Sequence, residues 1–351
     1  MNYKKPFYQV PTVIYGNNSI KRVEEILPND LENCLIVIDS ILDLNIDFFK
    51  KILSPKRNVL LEYFDASKHE PHTWDIDELR DKYINKNILS IIGIGGGSTL
   101  DVAKSLSITL VSGQNSNQLQ GWDLVNVKPI YKLGIPTIAG SGSEASRTAV
   151  LFDGTKKQGI NSKHSMFNSI ILDPTLTSTV DKDIAFYSAM DCYIHSVESI
   201  TGTMITPLSM FYAKEALNIC NERFLNNNMN NCMSLASYFG GVSIVNSEVG
   251  ICHALSYGLS VMFNIRHGLA NCLVFQHLSE FYGNYVKNFK TMLKNQNIVL
   301  DKNICMDISD SDLNTLVNIT YMMEKPLINA LGDNYRDILN ETKIKEIYRN
   351  I

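Results

Sequence analysis

The chain is 351 residues long with a formal net charge of −4. That is enough for two domains and a sizeable core, and it lacks the basic footprint that nucleic acid or an anionic membrane surface would require. The seven cysteines contain no C-x-x-C pair, so they read as reduced thiols of a cytoplasmic protein, and the opening MNYKKPFYQVPTVIYG lacks a signal-peptide core.

In chain order, CLIVI (34–38) reads as a buried strand ending at Asp39, and VLLEYF (59–64) as a second ending at Asp65. WDIDELRDKYINK (74–86) has helical character. ILSIIGI (88–94) is a strand that runs into Gly95, Gly96, Gly97 and Ser98, and TLDVAKSLSITL (99–110) has helical spacing. The long polar stretch 110–128 is the expected mobile segment. LGIPTIA (133–139) and SIILDP (169–174) are further strands. Alternating strands and helices predict a doubly wound, mostly parallel α/β sheet. From Lys182 the pattern becomes helical throughout, with helices expected over 182–200, 208–225 and 232–258, and again near both TLVNITYMME and TKIKEIYRNI. The Asp173-Pro174 turn signal places the domain boundary near 175–182, giving an α/β domain over 1–178 and an all-helical domain over 179–351.

Two glycine-rich turns follow strands. In GIGGGST (93–99) the backbone can approach a pyrophosphate at a helix N-terminus. Ser98 stands where the usual dinucleotide fingerprint has its third glycine, and the turn follows a later strand, so alone it is equally a tight strand-to-helix turn. TIAGSGSEASRTA (137–149) adds the hydroxyls of Thr137 and Ser141. Two such turns at adjacent strand ends suit a dinucleotide. Asp39, at the end of its strand, is placed to accept from an adenosine ribose and repels a 2′-phosphate, which favours NAD.

The densest chemical signal is D-x3-H…H-x13-H: Asp191, His195, His253 and His267. The i, i+4 spacing stacks Asp191 and His195 on one helical face. One carboxylate and three imidazoles suit a divalent cation such as Fe²⁺ or Zn²⁺, with a position left open for an alcohol or carbonyl oxygen. A lone histidine is more often structural, but here three of only seven fall into a ligand-compatible pattern. His277 reads as structural or supporting, and His69 and His72, flanking Pro71, as exposed.

Taken together, the Asp39 strand end, GGGS (95–98), TIAGSGSE (137–144), LDP (172–174), D-x3-H and H-x13-H resemble the iron-containing alcohol dehydrogenase family, whose fold is shared with glycerol dehydrogenase and dehydroquinate synthase. The resemblance spans nearly the whole chain. It implies an N-terminal dinucleotide-binding domain, a helical C-terminal domain and an active site in the cleft between them. It implies that Asp191, His195, His253 and His267 hold Fe²⁺ or Zn²⁺ and that Gly95, Gly96, Gly97 and Ser98 cradle the NAD pyrophosphate. Thr137 and Ser141 would line the diphosphate and nicotinamide side, Leu172 would lie near the adenosine, and Lys157 would match a cofactor-contacting lysine. A homodimer is implied as well.

Two positions depart from the family pattern. Tyr257 stands where many members have a second histidine linked to proton movement, and a tyrosine hydroxyl can serve there. Arg266 precedes the last ligand, where it either grips a carboxylate or phosphate or forms a salt bridge. MDCYIHSVES (190–199), KKQGINSKHSMF (156–167) and 241–258 look most like the bacterial 3-deoxy-D-manno-octulosonate 8-oxidase branch, which oxidises the C8 hydroxyl of that sugar acid for 8-amino lipopolysaccharide synthesis. The alternatives are a dehydrogenase of another small alcohol or polyol, a dehydroquinate-synthase-like lyase, and a non-catalytic relative. The Asp-His-His-His set favours the dehydrogenase.

Overall fold

The computed structural model describes residues 6–28, 33–67, 70–178, 180–228 and 232–351; His69 lies outside them. The chain divides into two compact units, one over Tyr8–Val180 and one over Asp181–Ile351 together with Pro6 and Phe7.

The first unit is built on a six-stranded parallel sheet in the order β1-β9-β6-β4-β2-β3. Its strands are β1 (Thr12–Tyr15), β2 (Asn33–Asp39), β3 (Val59–Phe64), β4 (Ile88–Gly95), β6 (Tyr131–Pro136) and β9 (Ser169–Leu172). Strands covered on both faces must be apolar nearly throughout, which is why β2 and β4 read as continuous Ile/Leu/Val runs. Ile36, Ile38, Ile92, Ile94, Leu133 and Ile135 share one buried cluster with Phe49. Helices α1 (Ile46–Ile52) and α2 (Thr73–Tyr83) lie on either side of β3 in the chain, and α3 (Gly97–Ser112) follows β4. The chain winds outward from β2 to β3 and then returns to β4 on the other side of β2. The carboxyl ends of β2 and β4 therefore flank the topological switch point, where α/β sheets bind ligands.

Close packing against the sheet depends on two glycines. A Cβ on Gly93 would lie 2.7 Å from the Ala103 Cβ, and one on Gly134 2.9 Å from the Phe167 ring.

A second sheet, β5 (Gly121–Trp122), β8 (Lys157–Asn161) and β7 (Thr148–Phe152), escapes the sequence reading. Its strands are short, and β8 (KQGIN) carries almost no apolar signal. The expected mobile stretch 110–128 is also tied down. The Ser116 hydroxyl donates to the Thr73 carbonyl at 2.8 Å, Leu119 is buried, and the Gln120 amide donates to the carbonyls of Leu151 and Gln158. Polar residues here close backbone hydrogen bonds rather than facing water.

In the second unit α4 (Lys182–Thr201), α5 (Pro207–Phe224), α6 (Met233–Val245), α7 (Ile251–Phe263) and α8 (His267–Phe275) surround one apolar core. They are followed by α9 (Asn284–Gln296), α10 (Asp310–Met322) and α11 (Glu341–Arg349). The single helix expected over 232–258 is in fact two, broken between Asn246 and Gly250. Small residues let these helices approach closely. A Cβ on Gly240 would meet the Cys192 sulfur at 3.0 Å, and one on Gly268 the Tyr187 carbonyl at 2.8 Å. At the C-terminus the Tyr348 hydroxyl donates to the Leu255 carbonyl at 2.7 Å inside the core.

One ionic node lies inside the first unit. The Lys104 ammonium, on α3, is fully buried and donates among Asp101 (3.2 Å), the hydroxyls of Ser143 and Ser146 (2.9 and 3.1 Å) and the Thr148 carbonyl (2.8 Å). Lys104→Met would leave the Asp101 carboxylate without its cation. We expect a loss of about 3–5 kcal/mol, read as a fall in the urea unfolding midpoint; a loss below about 1 kcal/mol would refute this role.

Candidate functional site

In the first unit the two glycine-rich turns come together. Gly95 ends β4 and pairs with Pro136 of β6, and the Thr137 N–H donates to the Gly95 carbonyl at 3.0 Å. A Cβ on Gly97 would lie 2.9 Å from the Ser141 hydroxyl, and one on Gly95 2.6 Å from Thr99. At Gly95 only glycine fits, and at Gly97 a side chain would displace the Ser141 hydroxyl. Gly96 is the N-cap of α3, whose first turn carries no acidic residue, so its amide groups and positive end suit an anion. Ser98, in that first turn, is half-buried.

Asp39 ends β2 beside this turn, in register with β4 through Ile38 and Ile94. Its carboxylate accepts from the Ile41 N–H at 3.2 Å. Burial, and secondarily the nearby Asp65, raises its pKa above the ordinary carboxylate value, against the Ile41 hydrogen bond. Leu172 is fully buried at the end of β9, its carbonyl accepting from the Gly16 N–H. Lys157 opens β8 in the second sheet, and its ammonium pairs with Glu70.

Sequence reasoning overlooked Asp101 and Lys104. The Asp101 carboxylate accepts from the Ser143 hydroxyl (2.7 Å) and the Val150 N–H (3.0 Å), and with Lys104 it fixes the second turn to α3. The signal was a D-x2-K pair inside a helix with no other charged residue.

In the second unit Asp191 and His195 lie on α4, His253 on α7, and His267 opens α8. One donor atom from each falls within 4.8 Å of all the others. From the Asp191 Oδ1 the imidazole Nε2 atoms lie at 3.4 Å (His195), 3.3 Å (His253) and 3.6 Å (His267). A tetrahedron of ~2.1 Å metal bonds has edges of ~3.4 Å, so the donor set fits one cation. Asp191, His195 and His253 are buried, while the His267 side chain is 36% exposed and marks the open side.

The electrostatics follow from burial. Burial opposes charge on Asp191, yet His195, His267 and His253 hold its carboxyl well below the usual range. Burial pushes His195 down to about 4, partly offset by Asp191. Burial also opposes a proton on His253, but Glu198 and Asp191 outweigh it and raise that group to about 10.

Glu198 is the second residue the sequence reading overlooked. It lies one helical turn past His195, is fully buried, and faces the His253 Nδ1 at 2.5 Å. It also accepts from the Gly250 N–H (2.8 Å), the Cys252 N–H (2.6 Å) and the Tyr282 hydroxyl (3.0 Å). Glu198 thus satisfies the start of α7 and turns the His253 Nε2 lone pair toward the cluster. The His195 Nδ1, by contrast, is buried with no hydrogen-bond partner among the described residues.

Tyr257 is half-buried one turn after His253, and Arg266 is exposed immediately before His267. His72 is half-buried rather than exposed, its ring stacked 4.2 Å from Trp74. His277 is half-buried; burial, and then Lys290, lower its pKa.

The iron-containing alcohol dehydrogenase family matches residues 11–174, and the C-terminal region of the Fe-containing alcohol dehydrogenase family matches residues 185–349. The chain belongs to this family and is an oxidoreductase acting on CH–OH groups. It is 25% identical over 288 residues to an NAD-dependent methanol dehydrogenase of Bacillus methanolicus, covering 78% of this chain and 75% of that one. A crystal structure of an iron-containing alcohol dehydrogenase from Thermotoga maritima superposes with a TM-score of 0.81 at 25% identity, covering 98% of both chains. The sulfoacetaldehyde reductase of Bifidobacterium kashiwanohense, solved in complex with NAD⁺, shares the fold with a TM-score of 0.82 at 18% identity, covering 99% of this chain and 98% of that one.

Glu198→Gln removes the negative charge facing His253 and turns one of the two accepting oxygens into a donor, so the His253 tautomer is held less firmly. Zn²⁺ affinity should fall ~10–100-fold in a competition titration; unchanged affinity would refute the role. Asp39 binds its proton more tightly folded than unfolded, so its cost to stability appears as pH rises through the ordinary carboxylate range and persists above the raised folded value. Asp39→Asn should therefore raise Tm at neutral pH, leave it unchanged in acid below that range, and weaken NAD binding.

Proposed function

We propose that this protein is an NAD- and metal-dependent alcohol dehydrogenase that oxidises a primary hydroxyl to an aldehyde, with the C8 hydroxyl of 3-deoxy-D-manno-octulosonate as substrate. The observation that carries the chemistry is the convergence of four donor atoms from three helices within 4.8 Å. Asp191, His195, His253 and His267 hold Fe²⁺ or Zn²⁺. When bound, the cation supplies Lewis acidity, lowering the pKa of a hydroxyl and stabilising negative charge on its oxygen.

The protein's own residues do the rest. Gly95, Gly96, Gly97 and Ser98 receive the pyrophosphate at the N-terminus of α3, with Thr137 and Ser141 on the adjoining turn. Asp39 accepts from the adenosine ribose and disfavours a 2′-phosphate. Leu172 lies on the adenosine side, and Lys157 contacts the cofactor after releasing Glu70. Holding the reacting carbon against the nicotinamide removes much of the entropic barrier to hydride transfer. The Tyr257 hydroxyl relays the proton released from the alcohol, receiving it on oxygen as its own O–H proton passes on to water.

Arg266 supports the sugar-acid substrate. It is exposed beside His267, and its guanidinium suits a bidentate grip on a carboxylate. A sulfoacetaldehyde reductase of Bilophila wadsworthia is also a relative, 28% identical over 270 residues, and its name implies an anionic substrate. The proposal includes a homodimer in the cytoplasm.

The test is a panel of sugar acids and simple alcohols with NAD and added Fe²⁺ or Zn²⁺, followed by NADH absorbance. Stoichiometric NADH with the octulosonate supports the reading. Turnover of simple alcohols alone would replace the substrate, and no NADH with any alcohol would point to lyase chemistry. His267→Ala should lower turnover by more than the ~10–100-fold typical of supporting residues while NAD binding persists. Full turnover in metal-depleted His267→Ala protein would end the proposal.

A further inference from the structure

Asn271 has no place in the ligand set, yet it sits inside it. It is fully buried on α8, four residues after His267 and so on the same helical face. Its side-chain nitrogen lies 2.7 Å from the Asp191 Oδ1 and 3.2 Å from both the His253 and the His267 Nε2 atoms. Three of the four proposed donors thus meet one carboxamide.

The orientation of that carboxamide follows from its surroundings. With the oxygen facing inward, it would lie 2.7 Å from a carboxylate oxygen and against two imidazole nitrogens. With the nitrogen inward, an N–H reaches the carboxylate. The opposite end agrees, because the Ser256 hydroxyl lies 2.5 Å from the Asn271 Oδ1 and donates to it. Ser256 is fully buried on α7, three residues after His253. The Asn271 backbone carbonyl separately accepts from the Cys252 thiol at 3.4 Å, tying α8 to α7.

We propose that Asn271 is a positioning residue of the metal centre: its side-chain N–H holds the metal-facing oxygen of Asp191, and Ser256 keeps the amide turned that way. The inference rests on the metal reading above. A cation engages the imidazole lone pairs, so the carboxylate remains as the acceptor for the amide. The amide then joins α4, α7 and α8, the three helices that each supply a ligand. A neutral donor suits this position, since it steadies the Asp191 charge without adding a competing cation or a second anion. Glu198 acts on His253 from one side of the cluster, and Asn271 acts on Asp191 from another.

The test is titration of the metal-free, full-length protein with Zn²⁺ by calorimetry, with far-UV circular dichroism to verify the fold. The wild type should bind one equivalent. Asn271→Ala and Asn271→Leu should each weaken binding ~10–100-fold. Ser256→Ala should weaken it less, in the same direction, and the double variant should be no weaker than Asn271→Ala alone, because both act through one amide. A purely packing role would lower Tm in these variants and leave Zn²⁺ affinity unchanged. Affinity within about threefold of wild type in folded Asn271→Ala or Asn271→Leu, or fully additive losses, would overturn the proposal. If the Asn271 variants do not fold, Ser256→Ala decides: unchanged Zn²⁺ affinity overturns the role. A wild type that binds no Zn²⁺ or Fe²⁺ would instead remove the metal reading on which the inference stands.

Discussion

The second unit is organised around a charge that a helical core tolerates only with partners. The Asp191 side chain is 3% exposed, and a carboxylate removed from water costs several kcal/mol unless other groups replace its hydration. Three imidazoles and the Asn271 amide supply that replacement, from helices close together in space but distant in sequence. The small residues of α6 and α8 let those helices come near enough to α4. Glu198 repeats the pattern one turn further along α4, where a second buried carboxylate is neutralised by backbone N–H groups, a hydroxyl and a histidine. His253 and Asp191 are therefore each oriented by a group that is itself held, which is what allows a metal site to be geometrically selective.

The first unit applies the same rule to a different end. Lys104 and Asp101 form a buried pair on α3 whose remaining hydrogen bonds all go to the 143–150 segment. The pair fixes a turn made of small, flexible residues beside the glycines that open α3. A phosphate-binding turn needs backbone amides that point the right way before the ligand arrives. Glycine permits that geometry but does not hold it, whereas the buried ion pair does.

Several elements were legible because one force dominates them. The strands β2, β3, β4 and β6 are apolar runs ended by Asp, Gly or Pro, and α4 carries its ligands at helical spacing. The elements that went unread are those where no single residue type carries the signal. The strand β8 is polar because its sheet is small and half-exposed, so alternation never develops. The break between α6 and α7 lies in an unbroken helical pattern. It forms because the Glu198 carboxylate, more than fifty residues earlier, accepts the N–H groups that begin α7. His72 is drawn inward by Trp74 and Phe152, contacts that a loop between Pro71 and a helix start does not announce.

The amino-acid order alone determined that one carboxylate and three imidazoles were available at helix-compatible spacings, and that glycines opened a helix after a buried strand. Side-chain chemistry and local periodicity are encoded within a few residues, so both could be read directly. Tertiary structure alone decided which buried groups turn those ligands toward one point: Glu198 behind His253, Asn271 and Ser256 beside Asp191, and Lys104 beneath the second glycine-rich turn. Those roles depend on distances across packed helices, and a buried polar residue in an apolar stretch acquires its meaning from the partner that the fold places opposite it.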